Sequence, residues 1–105
     1  MNNNLIFFVT TPSNEEAQKI AHHLVEHKLA ACVNIISPIT SIYWWNDTIE
    51  EDNEVFLLIK TTQSKAQQLI QTIEEIHTYD TPECIGIPIE KGSKKYLEWL
   101  NSVLK

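Results

Sequence analysis

From Ala30 to Thr61 the chain reads as extended sequence with one interruption. Ala30 to Ile36 and Ile39 to Trp45 are rich in branched and aromatic residues, Thr48 to Thr61 forms the return strand, and Asn46-Asp47 between them reads as a two-residue turn. Together the arms make a hairpin much longer than the typical strand of about five or six residues. A chain of 105 residues is expected to form a single domain over 1–105 with one core, which cannot cover such a hairpin along its whole length. Part of it must project, and it carries Tyr43-Trp44-Trp45 at the tip. So much aromatic surface needs a cover, and another copy of the chain can supply it. The usual turn of this kind prefers glycine second, so Asp47 has to accept a positive φ. Pro38 points to an edge position or a bulge.

The flanking sequence completes a recognisable order. Leu5-Ile6-Phe7-Phe8-Val9 is an apolar strand ended by Thr10-Thr11-Pro12. Ser13 and Glu16 then form a capping box, ahead of Ala17, Ile20, Ala21, Leu24 and Val25 at helical spacing. A second helix is expected from about Ser64, with Gln67 as capping-box partner and Ala66, Leu69, Ile70, Ile73 and Ile76 facing inward, ending near His77. Cys84 to Ile89 alternates as a short edge strand, and Gly92-Ser93 opens a last helix with Tyr96, Trp99, Leu100 and Val103 on one side. The order predicts an α+β, ferredoxin-like βαββαβ fold with an antiparallel sheet, an extended hairpin and a C-terminal helix. In that topology the first and third strands are central and both main helices cover one face. Leu5 to Val9 and Val55 to Ile59 are nevertheless apolar at consecutive positions, so the uncovered face is apolar too and association is expected.

Composition narrows the classes of function. The formal net charge of −6 supplies no clustered Lys and Arg for phosphate contacts, so no nucleic-acid partner is expected. Met1-Asn2-Asn3-Asn4-Leu5 lacks a basic leader segment, and no apolar stretch approaches a membrane span, so the expected location is cytoplasmic with no membrane partner. Cys32 and Cys84 form no CxxC pair and read as reduced thiols. No phosphate loop, nucleophile elbow or triad spacing is present, so no enzyme activity and no organic cofactor are expected.

Leu29-Ala30-Ala31-Cys32-Val33-Asn34-Ile35-Ile36, Ser41-Ile42-Tyr43-Trp44-Trp45, Ile49-Glu50-Glu51-Asp52-Asn53-Glu54-Val55 and Ile59-Lys60-Thr61 resemble the successive signatures of the CutA family of divalent-cation tolerance proteins. His77 to Glu83 is similar to a later motif of that family and Tyr96 to Leu100 to its terminal helix, so the resemblance spans nearly the whole chain. The sequence departs from the pattern at Thr78, where proline usually follows the histidine, and at Asp47, where glycine is common. The resemblance implies a cytoplasmic homotrimer related to PII signalling proteins and associated with copper or another divalent cation. It implies Cys32 and His77 as metal ligands, with Glu83 beside them. In the expected topology Cys32 and His77 lie near opposite edges and opposite ends of the sheet, more than roughly 14 Å apart, so any site using both lies between subunits.

Each candidate has a plainer reading. Cys32 is equally a small buried hydrophobe, Lys60 an interface ion-pair partner as well as a neighbour that would favour the Cys32 thiolate, and His77 a helix cap donating to terminal carbonyls. Glu83 can neutralise Lys60 or anchor an interface loop. His23 and His27, four residues apart, can hold a metal or be merely solvated. Glu50, Asp52 and Glu54 share one strand face, as a cation attractor or as charge that blocks unwanted strand pairing. Tyr43, Trp44 and Trp45 read as subunit-contact residues, or as a stacking surface for an aromatic ligand. Three readings therefore stand: a metal-binding tolerance trimer, a PII-like signalling or scaffold trimer that takes a small ligand or partner protein in a lateral cleft, and a purely structural trimer.

Overall fold

Strand pairing begins where the branched and aromatic residues do. In the computed structural model, which describes residues 3–105, β1 (Asn4–Thr11), β2 (Cys32–Trp45), β3 (Thr48–Thr62) and β4 (Cys84–Pro88) form one antiparallel sheet in the order β2-β3-β1-β4. Met1 and Asn2, part of the stretch read for a leader, lie outside the described residues. β1 and β3 are central as expected. β1 runs past Val9 because Thr10 and Thr11 keep their partners Phe56 and Val55.

Helices α1 (Asn14–Glu26) and α2 (Gln63–Ile76) share one face of this sheet. Phe7, Val9, Val55, Leu57 and Ile59 point toward them and meet Ala17, Ile20 and Leu24 of α1 and Ala66, Leu69 and Ile73 of α2 in one buried cluster. Each larger side chain there contributes about 1.5–3 kcal/mol of burial. The Ser13 hydroxyl caps α1 by accepting from the Glu16 amide at 3.2 Å. The return half of the capping box is absent, since the Glu16 carboxylate is engaged elsewhere. Lys28, at φ 58°, closes the helix in the left-handed region. α2 is capped two residues earlier than the Ser64 and Gln67 pattern suggests; its N-cap is Thr62, which makes no side-chain capping bond.

The opposite face has no helical layer of its own. Register places Ile36, Phe56 and Thr10 in one cross-strand row, Asn34, Leu58, Phe8 and Ile85 in the next, and Cys32, Lys60, Ile6 and Ile87 in a third. Phe8 and Phe56 stack at 5.6 Å, while Ile36, Ile85 and Ile87 are 48%, 58% and 48% exposed. A last helix, α3 (Lys94–Val103), lies at the Cys32 end, where Leu100 and Leu104 pack on Ala31 and Asn101 accepts from the Asn4 amide at 2.9 Å. Of its expected inward stripe, Leu100 is buried and Tyr96 and Trp99 stay partly exposed.

The hairpin strands span 14 and 15 residues and give the molecule a long axis of 44 Å against 25 and 23 Å. Asn46 and Asp47 both take positive φ, 50° and 63°, as the turn requires. The register shift falls between Ile36 and Ile39, around Pro38.

Gly86 lies opposite Phe7, and a Cβ there would sit 2.7 Å from the buried phenyl ring. Gly86→Ala is expected to lower stability by about 1–3 kcal/mol, measured by urea unfolding at fixed chain concentration. An unchanged midpoint would show that the ring can yield.

Candidate functional site at the foot of the hairpin

The segment after α2 is held by a knot of hydrogen bonds. The His77 backbone N–H closes α2 on the Ile73 carbonyl at 3.0 Å, and the imidazole is buried. Its Nε2–H donates to the Thr10 carbonyl at 2.8 Å, and its Nδ1 accepts from the Tyr79 amide at 3.0 Å. A carbonyl can only accept and an amide N–H can only donate, so this pair of bonds selects the neutral Nε2–H tautomer. The ring does cap, but onto β1 and not onto the terminal carbonyls of α2. Glu16 completes the knot: it accepts from the Thr78 hydroxyl at 2.7 Å and from the Thr78 amide at 3.1 Å. Its Oε2 also lies 3.3 Å from His77 Nδ1, an ion pair whenever the ring carries its second proton. The Thr78 amide hydrogen exists because this position is not proline.

This knot delivers Tyr79 to Glu83 to the foot of the hairpin. There a cavity of about 650 Å³ is walled by Tyr43, Trp45 and Tyr79, with Asp52, Glu54, Asp80 and Glu83 supplying carboxylates and Thr10, Ser41 and Thr81 hydroxyls. Glu54 is buried and accepts from the Tyr79 hydroxyl at 2.8 Å. Burial, that bond and the Glu54 charge hold the Tyr79 phenol far above its ordinary range. Tyr43 donates to Asp52, and that bond, with slight desolvation and the carboxylate field, pushes its phenol up to about 12. Glu83 lies within the influence of Glu54; burial first, and that charge second, raise its carboxyl above the ordinary value.

The other sequence candidates lie elsewhere. Cys32 faces Lys60 across β2 and β3, and both reach Asn34: the thiol at 3.8 Å from Oδ1, and the ammonium as a donor to the same oxygen. Burial and Cys32 raise the nearby Tyr96 phenol. Lys60 is thus paired with Asn34, and Glu83 lies at the opposite end of the sheet, so the expected Lys60–Glu83 neutralisation is not made within the chain. Cys84, on the far edge strand, is pushed up to about 11 by burial and by Glu74 and Glu83, and both cysteines are free thiols.

His77 sits against central β1, nearer Cys32 than the expected edge position. The register still leaves about 9.5 Å across the strands and about 13 Å along them between the two. Among the described residues no group of three or more His, Cys, Asp or Glu side chains is arranged to hold a metal. Sequence reading missed Tyr79 as a cleft residue and took Glu54 only as part of an acidic run. The available signal was that Glu54 shares a strand face with Phe56, so its carboxylate borders an apolar surface.

Residues 5–103 match the family of CutA1 divalent ion tolerance proteins. The chain belongs to that family. This CutA1-family chain is 47% identical over 97 residues to a protein CutA homolog of Xenopus laevis, covering 92% of this chain and 64% of that protein. It is 44% identical over 95 residues to the divalent-cation tolerance protein CutA of Thermus thermophilus, covering 90% of this chain and 92% of that one. The solved structure of the periplasmic divalent cation tolerance protein CutA of Archaeoglobus fulgidus superposes with a TM-score of 0.94 at 40% identity, over 97% of this chain and 99% of that one. The chain spans 64%, 54% and 55% of its Xenopus, Arabidopsis and rice relatives. No helix among the described residues is long and apolar enough to cross a membrane. Family members carry chloroplastic and periplasmic descriptions, so membership does not fix a compartment.

For this CutA1-family chain the Glu83 environment has a signed consequence. With its folded value raised above 4.5, the carboxyl contributes stability that is complete below that pH and is lost as pH rises through the folded value. Glu83→Gln cannot ionise. In chelator-containing buffer it is expected to melt with the parent at about pH 4 and above the parent at about pH 8; equal melting temperatures at both would contradict the assignment.

Proposed function

We propose that three copies of the chain assemble through the apolar sheet face and the hairpin, and that this homotrimer binds copper or another divalent cation at sites shared between chains. The observation that carries the reading is the three-row apolar face beside a hairpin whose Ile42, Trp44, Trp45 and Ile49 are 66%, 71%, 51% and 63% exposed. Such a surface is costly in water and favours association. Tyr43, Trp44, Trp45 and Lys60 serve as contact residues in this assembly. Family membership supports cation tolerance as the role; in our reading it is exercised by binding, without an enzymatic step, and in the cytoplasm.

The donors of one chain do not meet, so a partner chain has to complete any such site. Cys32 lies on an edge strand and Glu83 at the mouth of the cleft, where a neighbour can approach. His77 can serve only by releasing the Thr10 or Tyr79 bond, since both ring nitrogens are engaged. When bound, the cation adds the positive charge that the crowded Glu54 and Glu83 carboxylates lack; thiolate and imidazole donors suit copper, and carboxylates suit harder ions.

A second reading rests on the cleft itself. Its volume of about 650 Å³ and its aromatic wall fit a small organic ligand or a partner's side chain, with metal binding incidental to a PII-like signalling or scaffold role.

Light scattering is expected to give the mass of three chains, and Leu58→Asp, in the middle apolar row, a smaller species. A monomeric parent at micromolar concentration would overturn the assembly. In calorimetry with Cu(II), Cys32→Ser and Glu83→Gln are each expected to weaken a shared site about tenfold or more, and His77→Ala to weaken it while lowering the melting temperature. Unchanged affinity in all three would refute that site. Stabilisation of the chelated protein by a metabolite would then favour the second reading.

A further inference from the structure

We propose that His23 and His27, at the C-terminal end of α1, form a separate Cu(II)-type site contained within a single chain. The two imidazoles are stacked with ring centroids 4.1 Å apart and planes inclined by 27°. His27 is exposed and His23 half-buried, on the solvent side of a helix whose Ala17, Ile20, Ala21 and Leu24 face the sheet. Residues four apart lie one above the other on a helix, the spacing that lets two histidines share a metal.

A second observation prepares one of the ligands. His27 Nδ1 lies 2.9 Å from the His23 carbonyl oxygen, which can only accept, so Nδ1 carries the hydrogen and donates it. Nε2 is then left with a free lone pair pointing away from that bond. A ligating histidine usually ties its other ring N–H to a carbonyl in this manner, which fixes the tautomer and raises ligand basicity. The same His23 carbonyl also accepts the His27 backbone N–H at 3.1 Å, so the ring is anchored to a carbonyl that already terminates the helix.

The surroundings favour a cation. Carbonyls at the end of α1 present the negative pole of the helix. Glu26 adds a carboxylate within the same turn, and the Lys28 ammonium is drawn off to the Val103 carbonyl at 3.4 Å. Lys19, one turn before His23, is the opposing charge on this stretch. Two bonds of about 2.0 Å at a right angle need nitrogens about 2.8 Å apart, which rotation of the His23 side chain against the anchored His27 ring can supply. With two imidazoles and solvent in the remaining positions, tetragonal Cu(II) fits best, and the order of divalent affinities places Zn(II) below it.

This site stands apart from the shared site of the trimer. α1 covers the face of the sheet opposite the apolar rows, so assembly through those rows leaves His23 and His27 in solvent.

The test uses the full chain in a Cys32→Ser background, titrated with Cu(II) alone and followed by calorimetry and electron paramagnetic resonance. One Cu(II) per chain with two imidazole nitrogens is expected at this site, beside the weakened uptake left at the shared site. His23→Gln and His27→Gln should each weaken it roughly a hundredfold, because losing either ligand removes the chelate. His22→Gln should leave binding unchanged. Retained affinity in either single variant, or an equal loss with His22→Gln, overturns the proposal. Circular dichroism of both variants secures the reading, since His27 also ends the helix.

Discussion

Two helices can cover one face of a four-stranded sheet, and here both cover the same face. The central strands are apolar on both sides, so Val9, Leu57 and Ile59 are fully buried against the helices while Phe8, Phe56 and Leu58 look outward from neighbouring positions. A strand cannot satisfy one side without presenting the other, because side-chain direction alternates strictly. Everything distinctive in the molecule follows from that alternation. The outward rows lead into the hairpin, the hairpin forms one wall of the cleft, and α3 occupies only the Cys32 end.

The cleft owes its shape to bonds made outside it. His77 ties the end of α2 to β1, and Glu16, from the first turn of α1, grips Thr78 by both amide and hydroxyl. Three elements from distant parts of the chain thereby fix one short loop. Glu54 and Asp52 meet that loop and the hairpin through tyrosine hydroxyls. Phenols are suited to this because they donate without adding charge. The result is a concave surface rich in carboxylates whose mutual repulsion is tempered by neutral donors.

Much of this was legible in the residues. Period-two and helical spacing gave the element order, Pro38 announced the bulge, and the consecutive apolar positions of Leu5 to Val9 betrayed an outward-facing hydrophobic surface. Ser-x-x-Glu marks Ser13 as the cap, as the structure has it, but also implies a reciprocal bond that Glu16 does not make, since the pattern is local and Thr78 lies 62 residues away. The Thr62 cap of α2 was hidden in the same manner, because Ser64 and Gln67 offered a better motif than the backbone used. For His77 two roles, ligand or cap, follow from its position after α2, and neither anticipates the bond to Thr10. Tyr79 carried no pattern of its own; its place in the cleft depends on how β3 and the loop after α2 approach one another.

The bulge around Pro38 has a consequence for how the chain can change. Two residues of β2 face one residue of β3 there, so Ile36 and Ile39, three positions apart, still pair with Phe56 and Glu54 on the same face of the sheet. Deleting Ser37 or Pro38 would leave one residue facing one and restore an unbroken ladder, in which Ser41, Tyr43 and Trp45 keep their partners Asp52, Glu50 and Thr48 and their place at the cleft. The bulge is thus the place where this arm can lose one residue without turning over.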